Sequence, residues 1–274
     1  IIVVNTLFKT SLICSCLIYS MGVIGNTDSN SETWKIDNEF FKKQVKQTMS
    51  PGRAVRSLIS HYPQSTAGIV DVALDLYPTD YKEIIHSAVS TQPSSAEDIV
   101  SIAVKKGITK CESIVMAAIK AEPSYVSFVT SAAAHASPDD FNDILRVAVI
   151  TEPDSADKIV QHMASSYPDK IVEILSNTVQ YVPLVGEYIV DALLAVFPNK
   201  AEEVVSITVR ESLAEREQIE KIIVTAINAG VTVDDVSKFA LMGGATNAEI
   251  VAGINAAPTN TNKKISTSDD DLFY

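Results

Sequence analysis

Four histidines and three cysteines are the residues of this chain best suited to hold a metal or attack a carbonyl. His61, His86, His135 and His162 fall at four different positions of the repeat set out below, so no periodicity brings them together. No His-X3-His pair exists, and Cys14, Cys16 and Cys111 form no ligand cluster, so the spacing that zinc requires is missing. No Gly-X-Ser-X-Gly turn presents a nucleophilic serine, and neither phosphate-cradling glycine motif occurs. The adjacent acids Asp139-Asp140 and Glu202-Glu203 stand where helices are expected to start, where a carboxylate favours the helix dipole without any catalytic role. Cys111 lies on an apolar stripe and reads as a buried thiol. The chain is therefore expected to be non-enzymatic, with no metal and no cofactor. A site in the irregular region 213–258 is the remaining enzymatic reading.

The exposed feature with the most binding character is aromatic. Tyr62, Tyr77, Tyr167 and Phe197 each directly precede a proline at the predicted end of a helix, and Tyr77, Tyr167 and Phe197 end the same class of unit. Stacked in register, such rings would line one edge and take a peptide or a glycan. The competing expectation is that they cover the neighbouring connector.

The elements that must position these residues follow from one ladder. Prolines stand at 63, 78, 93, 123, 138, 153, 168, 183 and 198, and Ile108 holds the one missing slot. Nine of eleven prolines on a fifteen-residue register announce a tandem repeat. Counted from the proline, apolar residues recur at offsets 3, 6, 7, 10, 11 and often 14, the spacing of one helical face. Pro93–Gly107 and Pro153–Tyr167 are clear copies. The residue after the proline is Thr79, Ser94, Ser124, Asp139, Asp154, Asp169 or Asn199, each able to accept from a free first-turn N–H. Ser94 with Glu97 and Thr109 with Glu112 fit a capping box, and Asn199 with Glu202 a looser one. The proline is expected just outside each helix, ending the one before.

The structural period is expected to be thirty. At offset 3, Thr66, Ala96, Val126, Ala156 and Gly186 alternate with the mostly larger Tyr81, Cys111, Phe141, Ile171 and Ala201. Two environments alternate, as in stacked helical hairpins. The stripe of a lone fifteen-residue unit does not offset the entropy of ordering it, so neighbours must share their faces. The fold class is all-α: an α-solenoid of about ten short helices across 51–212 with capping helices at both ends. The period is shorter than the roughly 33 or more residues of tetratricopeptide, ankyrin and HEAT repeats, whose signature residues are absent.

Outside the ladder, residues 1–25 hold Lys9 as their one charge and a long apolar run, and read as a signal peptide. A membrane anchor and lipidation at Cys16 are the alternatives. Residues 26–50 comprise a polar linker and an N-terminal capping helix bearing Trp34, Phe40, Phe41 and Val45. Pro51–Tyr62 resembles a shortened repeat. Residues 213–258 read as a C-terminal helical cap with helices at 213–229, 234–241 and 247–256, the last opened by a Thr246–Glu249 capping box. Residues 259–274 are polar and read as a disordered tail, including Asp269–Asp271.

The whole chain carries 22 basic and 34 acidic residues; without the lysine of 1–25 the net charge is −13. That balance opposes nucleic acid and anionic membrane as partners. The expected role is an exported scaffold or interaction module, periplasmic or extracellular, that engages a protein partner or copies of itself. A lipid-associating amphipathic-helix protein is the alternative, weakened by acidic polar faces.

Overall fold

The computed structural model describes residues 36–258. The signal-peptide, anchor and lipidation readings on 1–25, the linker, Trp34 and the tail 259–274 lie outside the described residues. Those described form fifteen helices and no strand. In order these are α1 (Asn38–Thr48), α2 (Pro51–His61), α3 (Thr66–Leu76), α4 (Tyr81–Thr91), α5 (Ala96–Lys106), α6 (Cys111–Ala121), α7 (Val126–Ala136) and α8 (Phe141–Thr151). There follow α9 (Ala156–Ser166), α10 (Ile171–Tyr181), α11 (Gly186–Val196), α12 (Ala201–Glu211), α13 (Glu217–Asn228), α14 (Val233–Gly243) and α15 (Asn247–Ala256). The all-α repeat solenoid is present.

The proline ladder sets the joints. A proline ring excludes the residue before it from the helical region. That residue takes φ −135° and ψ 58° at Tyr77, −133° and 65° at Tyr167, and −136° and 74° at Val182. Its N–H still closes the old helix, as Tyr77 N–H does on the Ala73 carbonyl at 2.9 Å. Its carbonyl already serves the new one, accepting from Asp80 N–H at 3.1 Å. The proline then opens a three-residue 3-10 turn, where its missing N–H costs nothing. Across Val182 the chain direction turns by 119°.

This corrects the expected caps. The prolines do sit just outside the α-helices, in the 3-10 turns that lead into them, but α5, α6 and α12 start without a side-chain cap. Ser94 Oγ accepts from the Gln92 amide at 2.9 Å, and Glu112 turns to Arg146 at 2.6 Å. At the proline joints the carbonyl before the ring does the capping hydroxyl's work. The Thr246–Glu249 box, at a joint without proline, is formed in both directions.

Each helix packs on the second helix along the chain as well as on its neighbours. The even helices α2 to α14 make one layer and the odd helices α3 to α15 the other, with α1 laid against α2 and α3. The thirty-residue period is thus physical. Bonds between helices of one layer span just over thirty residues: Lys106 to Asp75 at 2.5 Å, Arg146 to Glu112 at 2.6 Å and Asn177 to Asn142 at 2.7 Å; from the turn before α13, Arg216 reaches Glu249 of α15 at 2.8 Å. The predicted stripe is the core between layers: Ile84, Ile85, Ala88 and Val89 face Ile99, Val100 and Ala103, all fully buried.

The layering does not stop where the ladder stops. The pairs α11–α13, α12–α14 and α13–α15 continue both rows through the C-terminal segment. The helix expected from 213 begins at Glu217, after a turn at 212–216. Gly243 permits the contact of α14 with α12, since a β-carbon there would stand 2.6 Å from the Ser206 carbonyl and 2.7 Å from Val209 Cβ. Pro51–His61, expected to be a shortened repeat, is a full eleven-residue helix capped by Ser50, whose hydroxyl accepts from Arg53 N–H. Among the described residues no single helix is long and apolar enough to cross a membrane.

Candidate functional site

The four aromatic residues that end helices do not form one displayed row. Tyr77, Tyr167 and Phe197 are half-buried and lie against the core. The Tyr77 ring meets Phe41 of α1 at 6.1 Å, and Tyr167 meets Phe141 edge-on at 5.3 Å. Burial pushes the Tyr167 hydroxyl above the ordinary tyrosine range, against the opposing effect of Lys170. Tyr62 is 37% exposed and near His61, ring centroids 6.4 Å apart.

The Phe141–Tyr167 pair belongs to a recurring locus. Lys170 lies over the Phe141 ring at 4.2 Å, so phenyl, phenol and ammonium fill one slot between α8 and the α9–α10 joint. One repeat earlier the same three positions hold Cys111, Ser137 and Asp140. There a cleft of about 600 Å³ opens, lined also by Lys110, Glu112 and Asp143. Two repeats after Phe141 the slot holds Ala201, beside a second cleft of about 420 Å³ reaching Gly230 and Phe239. Both clefts open where the ring at offset 3 is replaced by a small side chain.

The Cys111 cleft has polar walls but no reactive centre. Burial, then the carboxylates of Asp140 and Glu112, push the thiol up to about 12. Ser137 Oγ donates to Asp140 Oδ2 at 2.7 Å, and Arg146 bridges Glu112 and Asp143 at 2.6 and 3.0 Å. Among the described residues no three of histidine, cysteine, aspartate and glutamate gather to hold a metal. The acid pairs take structural partners: Asp140 accepts from Ser137, and a hydrogen bond from Lys200 holds Glu203 below the usual carboxylate range.

Composition hid a third feature, on the outer face of the even layer. Residues thirty apart here occupy equivalent places, because α2, α4 and α6 begin thirty residues apart. Between α4 and α6 a groove of about 220 Å³ is lined by Lys82, His86, Ser113, Met116, Ala117 and Lys120. Met116 is 38% exposed at its centre. Arg53 and Arg56 extend the same exposed face on α2, Arg56 at the place His86 holds on α4. Nearby acids are engaged elsewhere: Ser50 Oγ donates to Glu83 at 2.6 Å, and Glu112 holds Arg146. Lys82 reaches only the Tyr81 ring, at 5.9 Å, and His86 Nδ1 lies 3.4 Å from Ser90 Oγ. No protein-family model, curated protein or solved structure matches the chain.

Proposed function

We propose that this chain is an exported, non-enzymatic interaction module that presents the outer face of α2, α4 and α6 to a protein partner. One observation carries the reading. In a chain of net charge −12, Arg53, Arg56, Lys82, His86 and Lys120 share one face around an exposed methionine. Several cations elsewhere are used within the stack: Lys106 holds Asp71 and Asp75, Lys170 holds Glu173, Lys200 holds Glu203, and Arg216 holds Glu249; Lys43, Lys46, Lys105, Lys110 and Lys158 also face solvent, but stand on α1, on α5, at the α5–α6 joint and on α9. Cations left facing solvent around an apolar centre match the mixed character of a transient interface. On α10 and α11 the core stripe of Ile174, Leu175, Ile189 and Val190 is fully buried in the stack, while Val172, Tyr181, Tyr188 and Val196 stay exposed, so the lipid-surface alternative would have to rest on these four.

The test compares captures. The tagged full chain and its Lys82→Glu/Lys120→Glu variant are used as bait in an extracytoplasmic fraction. A captured protein lost with the variant supports the reading; identical captures remove this face from it. Flotation with liposomes is expected to leave the protein at the bottom of the gradient.

A further inference from the structure

The groove between α4 and α6 also states what kind of segment fits it; this rests on the interaction reading above and narrows it. We propose that the partner presents an acidic peptide segment in which one apolar side chain, flanked by carboxylates, sits over Met116. The groove, at about 220 Å³, is below the roughly 300–1,000 Å³ of small-molecule pockets, so it takes one side chain rather than a whole ligand. Its floor is Met116 and Ala117, and methionine adapts to varied apolar shapes. Its two sides carry like charge, Lys82 on α4 and Lys120 on α6. Neighbouring helices of a layer lie about 8–10 Å apart. Lys82 is the second residue of α4 and Lys120 the tenth of α6, an axial offset of about 12 Å on top of that spacing. Carboxylates four or five residues apart on an extended strand lie about 13–17 Å apart, so one segment satisfies both lysines and leaves a middle side chain over the methionine. The charged groups on this face are mostly cationic: Lys82 and His86 from α4, Lys120 from α6, and Arg53 and Arg56 beyond on α2, against Glu83, exposed on α4 at the place Arg53 holds on α2. The acids on these helices, Glu83 and Glu112, are drawn to Ser50 and Arg146. A segment bearing arginine or lysine meets repulsion here, and a neutral one leaves the lysines unpaired.

Fluorescence anisotropy on the full chain tests this, with the labelled peptide Gly-Glu-Asp-Leu-Glu-Asp-Gly as probe and its Gln/Asn counterpart as control. The acidic probe is expected to bind at low ionic strength and to weaken as salt rises. Lys82→Glu/Lys120→Glu is expected to weaken it by about tenfold, and Met116→Ser by about threefold. Lys238→Glu, on α14 far along the same layer, is expected to leave it unchanged. Circular dichroism and urea midpoints confirm that each variant is folded. Equal binding of the amide peptide, no binding of the acidic one, or equal weakening by Lys238→Glu overturns the proposal. So does binding of anionic vesicles that is lost in the same double variant, which assigns the face to a membrane. If the peptide fails while the partner captured above still depends on Lys82 and Lys120, the interaction reading stands and only the acidic-segment assignment falls.

Discussion

Phe141 and Tyr167 meet edge to face, ring planes 79° apart, while thirty residues earlier the same two positions hold Cys111 and Ser137 over an open cleft. One locus of the repeat is thus built closed in one copy and open in another, on the same backbone plan. Restoring the closed version is a direct test. Cys111→Phe with Ser137→Tyr and Asp140→Lys is expected to raise stability by about 1 kcal/mol through ring pairing and a cation over the ring. Phe141→Ala, removing a ring that is 3% exposed, is expected to cost about 3–5 kcal/mol. Urea midpoints measure both, and a triple variant no more stable than the parent refutes the slot equivalence.

The thiol of Cys111 is pushed up to about 12 by burial and by Asp140 and Glu112. At pH 8 its thiolate fraction is about a thousandfold below that of a free cysteine. Alkylation by iodoacetamide is expected to be slower by a similar factor in the folded chain and to reach the ordinary rate in denaturant. Fast labelling of the native protein contradicts the burial.

Glu249 accepts from the Thr246 backbone N–H at 2.7 Å and from Arg216 at 2.8 Å, and these bonds hold its carboxyl below the usual range. A depressed carboxylate stabilises the fold above its unfolded pKa, about 4.3, and the contribution is lost as pH falls through the lower folded value. Glu249→Gln is expected to cost about 1 kcal/mol at neutral pH. The difference from the parent shrinks below pH 4. Urea titrations at neutral and acidic pH check it, and a gap that widens in acid gives the opposite sign.

Gly243 and Gly68 make a matched pair. Both are helical, but a β-carbon at 243 collides with Ser206 and Val209, whereas at 68 it meets nothing within 4 Å. Gly243→Ala is expected to cost about 1–3 kcal/mol, and Gly68→Ala to gain about 0.5–1 kcal/mol. Equal effects in thermal melts would show that α12 and α14 are not in close contact.

Deletion tests the two-layer order. Removing 123–152 takes out one helix of each layer and lets every remaining helix find a neighbour of its own class. Removing 123–137 alone shifts all later helices into the opposite layer, setting small offset-3 residues such as Ala156 where Phe141 belongs. The first variant is expected to melt cooperatively with helical circular dichroism. The second loses several kcal/mol more, since core mismatches cost about 1–3 kcal/mol each. Equal tolerance speaks for a fifteen-residue structural period.

Much of this architecture is legible in the chain itself, because proline spacing and a helical apolar stripe are local signals. The alternation of Ala96 with Phe141-type residues at offset 3 reveals the two layers before any coordinates. The caps are less legible, because a hydroxyl near a helix start resembles a capping residue, whereas at the proline joints the backbone carbonyl before the ring takes that role. The continuation of the layers past Ser212 left no trace, since Gly243 and Gly253 make room for neighbours without following the register. The cationic groove was masked by the acidic total: Lys82, His86 and Lys120 are unremarkable in sequence and become a site only when α4 and α6 lie side by side.

Of the ten joints between α2 and α12, nine are set by a proline ring and one, at 107–110, by Gly107 with φ +60°. A ring-locked torsion resists twisting, while a glycine torsion has a wide, shallow basin. Between α5 and α6 the chain direction is therefore held by packing of α4 on α6 and of α5 on α7, where the other joints add a ring-locked torsion. That joint adjoins α6, the helix carrying Met116 and Lys120, so the groove stands beside the one step between α2 and α12 whose backbone no ring constrains.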